Sequence, residues 1–367
     1  MSQHAFHGGA SFEAIGVKFD SLDERSRIID ADVLDAWYDP APGVLASLRE
    51  HLAWLVKTSP PTHAQGLREV LAEARGLDPS QILLGGGTSF LMFLALPRLL
   101  PPRPLVLALD PSYGEYAHLV EEVLEGEISR LPLDPEADFD PDIDQLIGMA
   151  REVDMVVLVN PNSPTGRVIS QGDMIRLAES LRPDQKLWID ETYIDFVPGV
   201  PTLEPLLKDH PNVIIAKSLS KHYALSGLRI GSLEMAPHLV SFLEKYSPPW
   251  SVGLPAQLAG VEALRDPTWY EAKVAETRVL RQRLSDQLSQ IRACRVIHSE
   301  TNFLMLHFPK GGADALVERS MDNGIFVRSC DSLTHHLKGQ LVRVAIKSGE
   351  QNDRIAAVLT EASAVMP

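Results

Sequence analysis

Short apolar runs alternate with amphipathic stretches through the first two-thirds of the chain. Residues 81–86 (QILLGG), 104–110 (PLVLALD), 154–160 (DMVVLVN), 186–190 (KLWID) and 212–218 (NVIIAKS) are apolar blocks that end on a polar residue or glycine. Runs of this length suit strands buried on both faces. Between them SFLMFLALPRLL, YGEYAHLVEEVLEG, DIDQLIGMAREV and GDMIRLAESLRP have the length and spacing of helices. The alternation predicts an α/β fold with a mainly parallel sheet sandwiched by helices. Beyond about residue 260 the pattern changes to a long charged helix, EAKVAETRVLRQRLSDQLSQIR, followed by NFLMLHF, GIFVRS and LVRVAI as strands of a smaller α+β unit. Three parts are expected: an N-terminal segment (1–40) packing with the small domain and the substrate site, a large domain (41–260) and a small C-terminal domain (261–367).

Composition narrows the class. A chain of 367 residues, 45% hydrophobic and 23% charged, can bury the core of a soluble globular enzyme. A formal net charge of -15 without any basic run argues against nucleic acid as a partner. Cys294 and Cys330 form no disulfide framework or thiolate metal cluster, and no metal is expected. The opening MSQHAFHGGASFEAIG has no basic region followed by an apolar one, and FLMFLALPRLLPPRPLVLAL is interrupted by arginines and prolines. A cytoplasmic protein without a membrane partner is the expectation.

In open α/β sheets, ligands collect at the carboxyl ends of the strands. There the chain places Gly85 to Ser89, Asp110 to Tyr113, Asn160 to Gly166, Asp190 to Tyr193 and Ser218 to Lys221. GGGTSF suits an anion, because glycine admits close backbone approach and a helix N-terminus offers free N–H groups; Gly87, Thr88 and Ser89 would supply the donors. By itself it is also an ordinary tight turn. A dinucleotide fingerprint fails because its third glycine falls at Phe90, and there is no GK[ST]. NPNSPTG fixes a rigid turn that presents Asn162, Ser163 and Thr165, more hydrogen-bonding groups than a plain connection needs.

In WIDETY, Asp190 ends a buried strand and needs a partner. A structural salt bridge would serve; so would a cationic ring nitrogen, with Tyr193 reaching an oxygen of the same ring. SLSKHYALSGLRIG places Lys221 after Ser218 and Ser220 and ahead of Arg229. Lysine is usually a surface residue. A desolvated lysine near other cations instead loses its proton and forms a Schiff base with a carbonyl, while Arg229 and Ser218 suit a phosphate. Anion cradle, acidic ring partner, lysine and second phosphate clamp follow one another on successive strand ends, and that sequence outweighs the ordinary readings.

The run S-x-S-K-x-x-x-L-x-G-x-R-x-G, with PNSPTG and DETY, resembles the fold-type I pyridoxal-phosphate enzymes of the class I/II aminotransferase superfamily, with most likeness to histidinol-phosphate aminotransferases and threonine-phosphate decarboxylases. The likeness runs from IDADVLDAWYDPAPGVLASL to LVRVAIKSG. It implies pyridoxal 5'-phosphate held covalently by Lys221. Thr88, Ser89, Ser218 and Arg229 would bind the phosphate with Gly87 and Ser220 beside them, Asp190 would pair with the ring nitrogen, Tyr193 would reach the ring hydroxyl, and Tyr113 would stack on the ring. Arg343 would grip a substrate carboxylate, and Arg328 with Tyr38 or Asp39 would face the substrate, whose side chain would be read by loops around 8–40 and 328–340. Asn302 is a family landmark. A homodimer acting on a small amino substrate, with a 2-oxo acid as acceptor, is also implied. The sequence departs from the family at Ser163, where asparagine is usual and the neighbouring Asn162 would be the substitute, and at Ser59, where tyrosine is common. An aminotransferase is therefore expected, with decarboxylation or another pyridoxal-phosphate reaction as the alternative. A non-catalytic binding protein and a dinucleotide dehydrogenase are less favoured, since neither accounts for the lysine cluster.

Overall fold

The computed structural model describes residues 9–364. A two-residue strand, β1 (Ile29–Asp30), is followed by β2 (Ile82–Gly85), β3 (Leu105–Asp110), β4 (Glu127–Pro132), β5 (Met155–Val159), β6 (Lys186–Asp190), β7 (Val213–Ser218) and β8 (Gly231–Met235). The C-terminal part adds β9 (Arg295–Ile297), β10 (Phe303–His307), β11 (Ile325–Phe326), β12 (Arg328–Ser329) and β13 (Leu341–Ala345).

Strands β2 to β8 form one sheet in the order β2-β8-β7-β6-β5-β3-β4. Its pairs are parallel except those of β8, which runs antiparallel to both β2 and β7. The apolar runs are continuous because both faces are covered. Along β5, Val156 and Leu158 enter one core with Leu187, Ile189 and Ile215, while Met155, Val157 and Val159 enter another with Trp188 and Ile214. All five expected strands are present. β4 was not expected as a strand, since EISRLP is only half apolar, and β8, GSLEM, carries the charged Glu234 inside the sheet.

The smaller sheet, β12-β13-β10-β9, is antiparallel and packs against helices Pro267–Leu288, Ala313–Asp322 and Gly349–Ala364. The expected GIFVRS strand is divided between two partners. β11 pairs with β1, and β12 pairs with β13. The charged helix begins at Pro267 rather than Glu271 and ends at Leu288, because the Asp266 carboxylate caps it by accepting from the Trp269 N–H and Pro267 suits its first turn. Ile29, Ala31 and Leu34 join the small unit's core, together with Tyr193 and Phe196 of the larger one. No helix among the described residues is long and apolar enough to cross a membrane.

Candidate active site

The antiparallel β8 organises the anion end of the site. Its first residue, Gly231, lies opposite Gly85 and Ser218, the last residues of its two neighbours. The loop before β8 therefore returns to the rim where the parallel strands end, and it brings Arg229 there. Arg229 Nη1 donates to the Ser226 carbonyl at 3.0 Å. Two glycines allow this approach. A Cβ on Gly87, whose φ is 91°, would stand 2.6 Å from Arg229 Nη2, and one on Gly231 would stand 2.6 Å from the Thr88 nitrogen. Helix Thr88–Leu99 starts at this point, with its unpaired N–H groups at the rim. Thr88, Ser89, Ser218, Ser220 and Arg229 line one cavity.

The same cavity reaches Asp190, Tyr193, Tyr113, Ser163, Lys221, Arg328 and Arg343. Asp190 ends β6 and is buried. Burial pushes its pKa up, although the Thr192 N–H at 3.0 Å and the Tyr116 hydroxyl at 2.7 Å favour the carboxylate. It has no ion-pair partner among the described residues. A carboxylate so placed is completed by a cationic N–H donor. Tyr113 is hydrogen-bonded to Ser89, and burial pushes its hydroxyl up to about 12. Burial likewise raises the pKa of Tyr193, which meets Phe303 edge-on.

Lys221 Nζ donates to Asp35 Oδ1 at 2.9 Å. Burial lowers the pKa of the lysine, Asp35 opposes that effect, and Arg343 and Arg229 reinforce it. Arg343, on β13, donates from Nη1 to Ser163 Oγ and from Nη2 to the Asp32 carbonyl, both at 3.0 Å. Its Nε is buried without a hydrogen-bond partner. Arg328 lies 3.6 Å from Asp32 Oδ1, and both side chains are buried.

Three expected site residues lie elsewhere. Asn162 does not line the cavity. Its amide donates to the Pro111 carbonyl and to Thr165 Oγ1, and its oxygen accepts from Ser112, so it braces the turn while Ser163 takes the cavity-facing place. Tyr38 is buried beside Tyr270 and donates to the His222 carbonyl at 2.6 Å. Asp39 is exposed outside the cavity. The sequence reading missed Asp35, Tyr116, Asp32 and Glu115. Tyr116 stands three residues from Tyr113 in YGEY, with Glu115 between them, and Asp32 and Asp35 are interspersed with apolar residues in IDADVLD. Those are the only signals they gave.

Residues 37–359 match the family described as aminotransferase class I and II. The chain belongs to that family. It is 31% identical to the histidinol-phosphate aminotransferase of Symbiobacterium thermophilum over 329 residues, 88% of this chain and 87% of the relative. It is also 31% identical to the threonine-phosphate decarboxylase of Salmonella typhimurium over 297 residues, 80% of each. Its fold matches the crystal structure of the Sinorhizobium meliloti histidinol-phosphate aminotransferase in complex with pyridoxal 5'-phosphate, with a TM-score of 0.85, 22% identity and 99% of both chains covered.

As a class I and II aminotransferase the protein uses pyridoxal 5'-phosphate, and the residues present fit that group. The cradle at Gly87 is space that any side chain would fill, beside Arg229 and a helix N-terminus. Asp190 is a buried acid in need of a cationic donor, and Lys221 is a lysine whose proton is held weakly. Thr88, Ser89, Ser218 and Arg229 would take the phosphate, Asp190 the ring nitrogen and Lys221 the aldehyde carbon.

Proposed function

We propose that this aminotransferase moves the amino group of an amino acid or phosphorylated amine to a 2-oxo acid, as a cytoplasmic homodimer, with Lys221 carrying the cofactor. One observation carries the reading. Asp190 at the end of β6, Lys221 in the loop after β7 and Arg343 on β13 are separated in sequence, yet line a single cavity with the Thr88, Ser89 and Arg229 cluster.

Bound pyridoxal phosphate supplies a carbonyl for the substrate's amine and a ring that draws electrons from a bond broken at the substrate's Cα. The protein's own residues direct that chemistry. Asp190 would keep a proton on the ring nitrogen, and the Tyr116 hydroxyl holds its carboxylate in place. Arg343, with a buried Nε–H to spare, binds the substrate carboxylate and so decides which Cα bond is exposed. With the carboxylate held by Arg343, the Cα–H bond would be the one exposed, and the Lys221 Nζ would take its proton. Tyr193, Tyr113 and Ser163 line the same cavity and would bound the ring, Ser163 in place of the family's usual asparagine.

Decarboxylation remains the second reading, supported by the 31% identity to a threonine-phosphate decarboxylase and by Ser163, whose hydroxyl is a bonding partner of Arg343. Incubating the loaded enzyme with single amino donors and no acceptor separates the two. Stoichiometric pyridoxamine phosphate supports transfer; carbon dioxide with an amine product replaces that reading with decarboxylation.

A further inference from the structure

Asp35 is brought to Lys221 across 186 residues of sequence. It sits between β1 and helix Pro42–Lys57, directly after Val33 and Leu34, which line the cavity. The segment is tied on both sides of it. Arg343 donates to the Asp32 carbonyl at 3.0 Å, Asn302 Nδ2 donates to the Leu34 carbonyl at 3.1 Å, and Trp37 Nε1 donates to Thr277 Oγ1 at 2.9 Å. These tethers come from the small unit and its long helix, and they fix the backbone on either side of Asp35. An ion pair with one partner half exposed, as the Asp35 side chain is, adds little to stability. Its place matters for another reason: its oxygen bonds the one nitrogen on which the chemistry depends.

We propose that Asp35 is the positioning residue for Lys221, a built-in counter-ion that holds the ε-amine at the cavity whenever that amine is free. The inference rests on the assignment of Lys221 as the cofactor-bearing residue. Facing the amine are one carboxylate, Asp35, and three cations, Arg343, Arg229 and Lys347, which repel its positive charge. Facing the carboxylate are Lys221, the Ser226 hydroxyl and Lys347; burial raises its pKa, but these partners outweigh that and hold it down, so it stays charged. The Tyr193 phenol also feels the Asp35 charge. Asp35 is thus the acid that offsets burial, the two arginines and Lys347. It keeps the released amine from drifting toward the phosphate end and tunes the fraction of it that can accept a proton. Asn302 acts one step further back, by fixing the backbone that carries Asp35.

The test follows Lys221 acetylation by acetic anhydride in cofactor-free protein, read site by site by mass spectrometry from pH 6 to 10, with exposed lysines as internal standards. Without the counter-ion more of the amine is uncharged at a given pH. In Asp35→Asn the Lys221 curve is expected to move to lower pH, with modification about three- to tenfold faster near neutrality. Asp35→Glu should restore most of the parent curve, which loss of packing would not do. A curve for Asp35→Asn that overlays the parent overturns the proposal, as does an equal shift in Asp35→Glu. Borohydride reduction of each cofactor-loaded variant is run in parallel. A pyridoxyl label on Lys221 with an unmoved curve removes only the role of Asp35, whereas absence of the label removes the assignment of Lys221 itself.

Discussion

Tyr116 donates its hydroxyl proton to Asp190 Oδ2 at 2.7 Å and accepts one from Trp188 Nε1 at 2.7 Å. All three side chains are buried, and Trp188 precedes Asp190 by two residues on β6. The chain of hydrogen bonds ends on the carboxylate assigned to the ring nitrogen. Removing the hydroxyl would leave the indole N–H without an acceptor and the carboxylate one donor short. Tyr116→Phe is expected to lose about 1–3 kcal/mol in urea unfolding of the cofactor-free protein. An unchanged midpoint would show the chain to be without energetic weight.

Asp190→Asn tests the carboxylate itself. The cradle and Lys221 still hold the cofactor, but the ring nitrogen loses its charged partner. Turnover should fall by about two orders of magnitude or more, equivalent to roughly 3 kcal/mol or more of barrier. Steady-state rates normalised to bound cofactor measure the loss.

Gly87→Ala places a methyl group 2.6 Å from Arg229 Nη2 at a φ of 91°. Both the contact and the backbone angle oppose it. Cofactor affinity, read by equilibrium dialysis, is expected to weaken about tenfold or more, an effect of about 1.4 kcal/mol or more. Affinity equal to the parent's would move the phosphate site elsewhere.

Arg343→Lys keeps the charge and loses the planar fork that also holds Ser163 and the Asp32 carbonyl. KM for the amino donor should rise about tenfold or more, with the bound cofactor's absorbance little changed. If KM stays constant, the substrate carboxylate is bound by another group.

Glu234 gives a pH signature of the fold. It is fully buried on β8, ion-paired with Arg75, and accepts from Ser232 Oγ at 2.7 Å. Burial raises its pKa to about 7 from an ordinary 4.5; Arg75 opposes the rise and Glu204 adds to it. Between those values the folded chain binds more protons at this site than the unfolded chain. Its contribution to stability is therefore present below about 4.5 and lost as pH rises toward 7. Glu234→Gln should remove about 1–3 kcal/mol of that decline, apart from any constant offset from the lost ion pair. Denaturant unfolding at several pH values from 5 to 8 reads the difference in slope.

Much of the site was legible because its residues lie on local motifs at strand ends. Apolar runs locate the strands, parallel pairing aligns their carboxyl ends, and the meeting of Thr88, Asp190 and Lys221 in one cavity follows from those positions. Two things escaped. The first is direction within a rigid turn: Asn162 and Ser163 are adjacent, and only the fold shows that Asn162 is consumed by the Pro111 carbonyl while Ser163 faces Arg343. The second is contact between distant segments. Asp35 meets Lys221, Asp32 meets Arg328 and Asn302 meets Leu34 across gaps that hydrophobic periodicity does not encode. The resemblance implied Tyr38 or Asp39 at the substrate, yet an aromatic ring with one hydrogen-bonding tip is equally suited to a core, and the core with Tyr270 holds Tyr38.

The most direct measurement loads purified protein with pyridoxal 5'-phosphate, reduces it with borohydride and maps the modified residue by mass spectrometry. A single pyridoxyl group on the Lys221 ε-amine is the predicted result. A label on another lysine, or none after loading, would contradict the account.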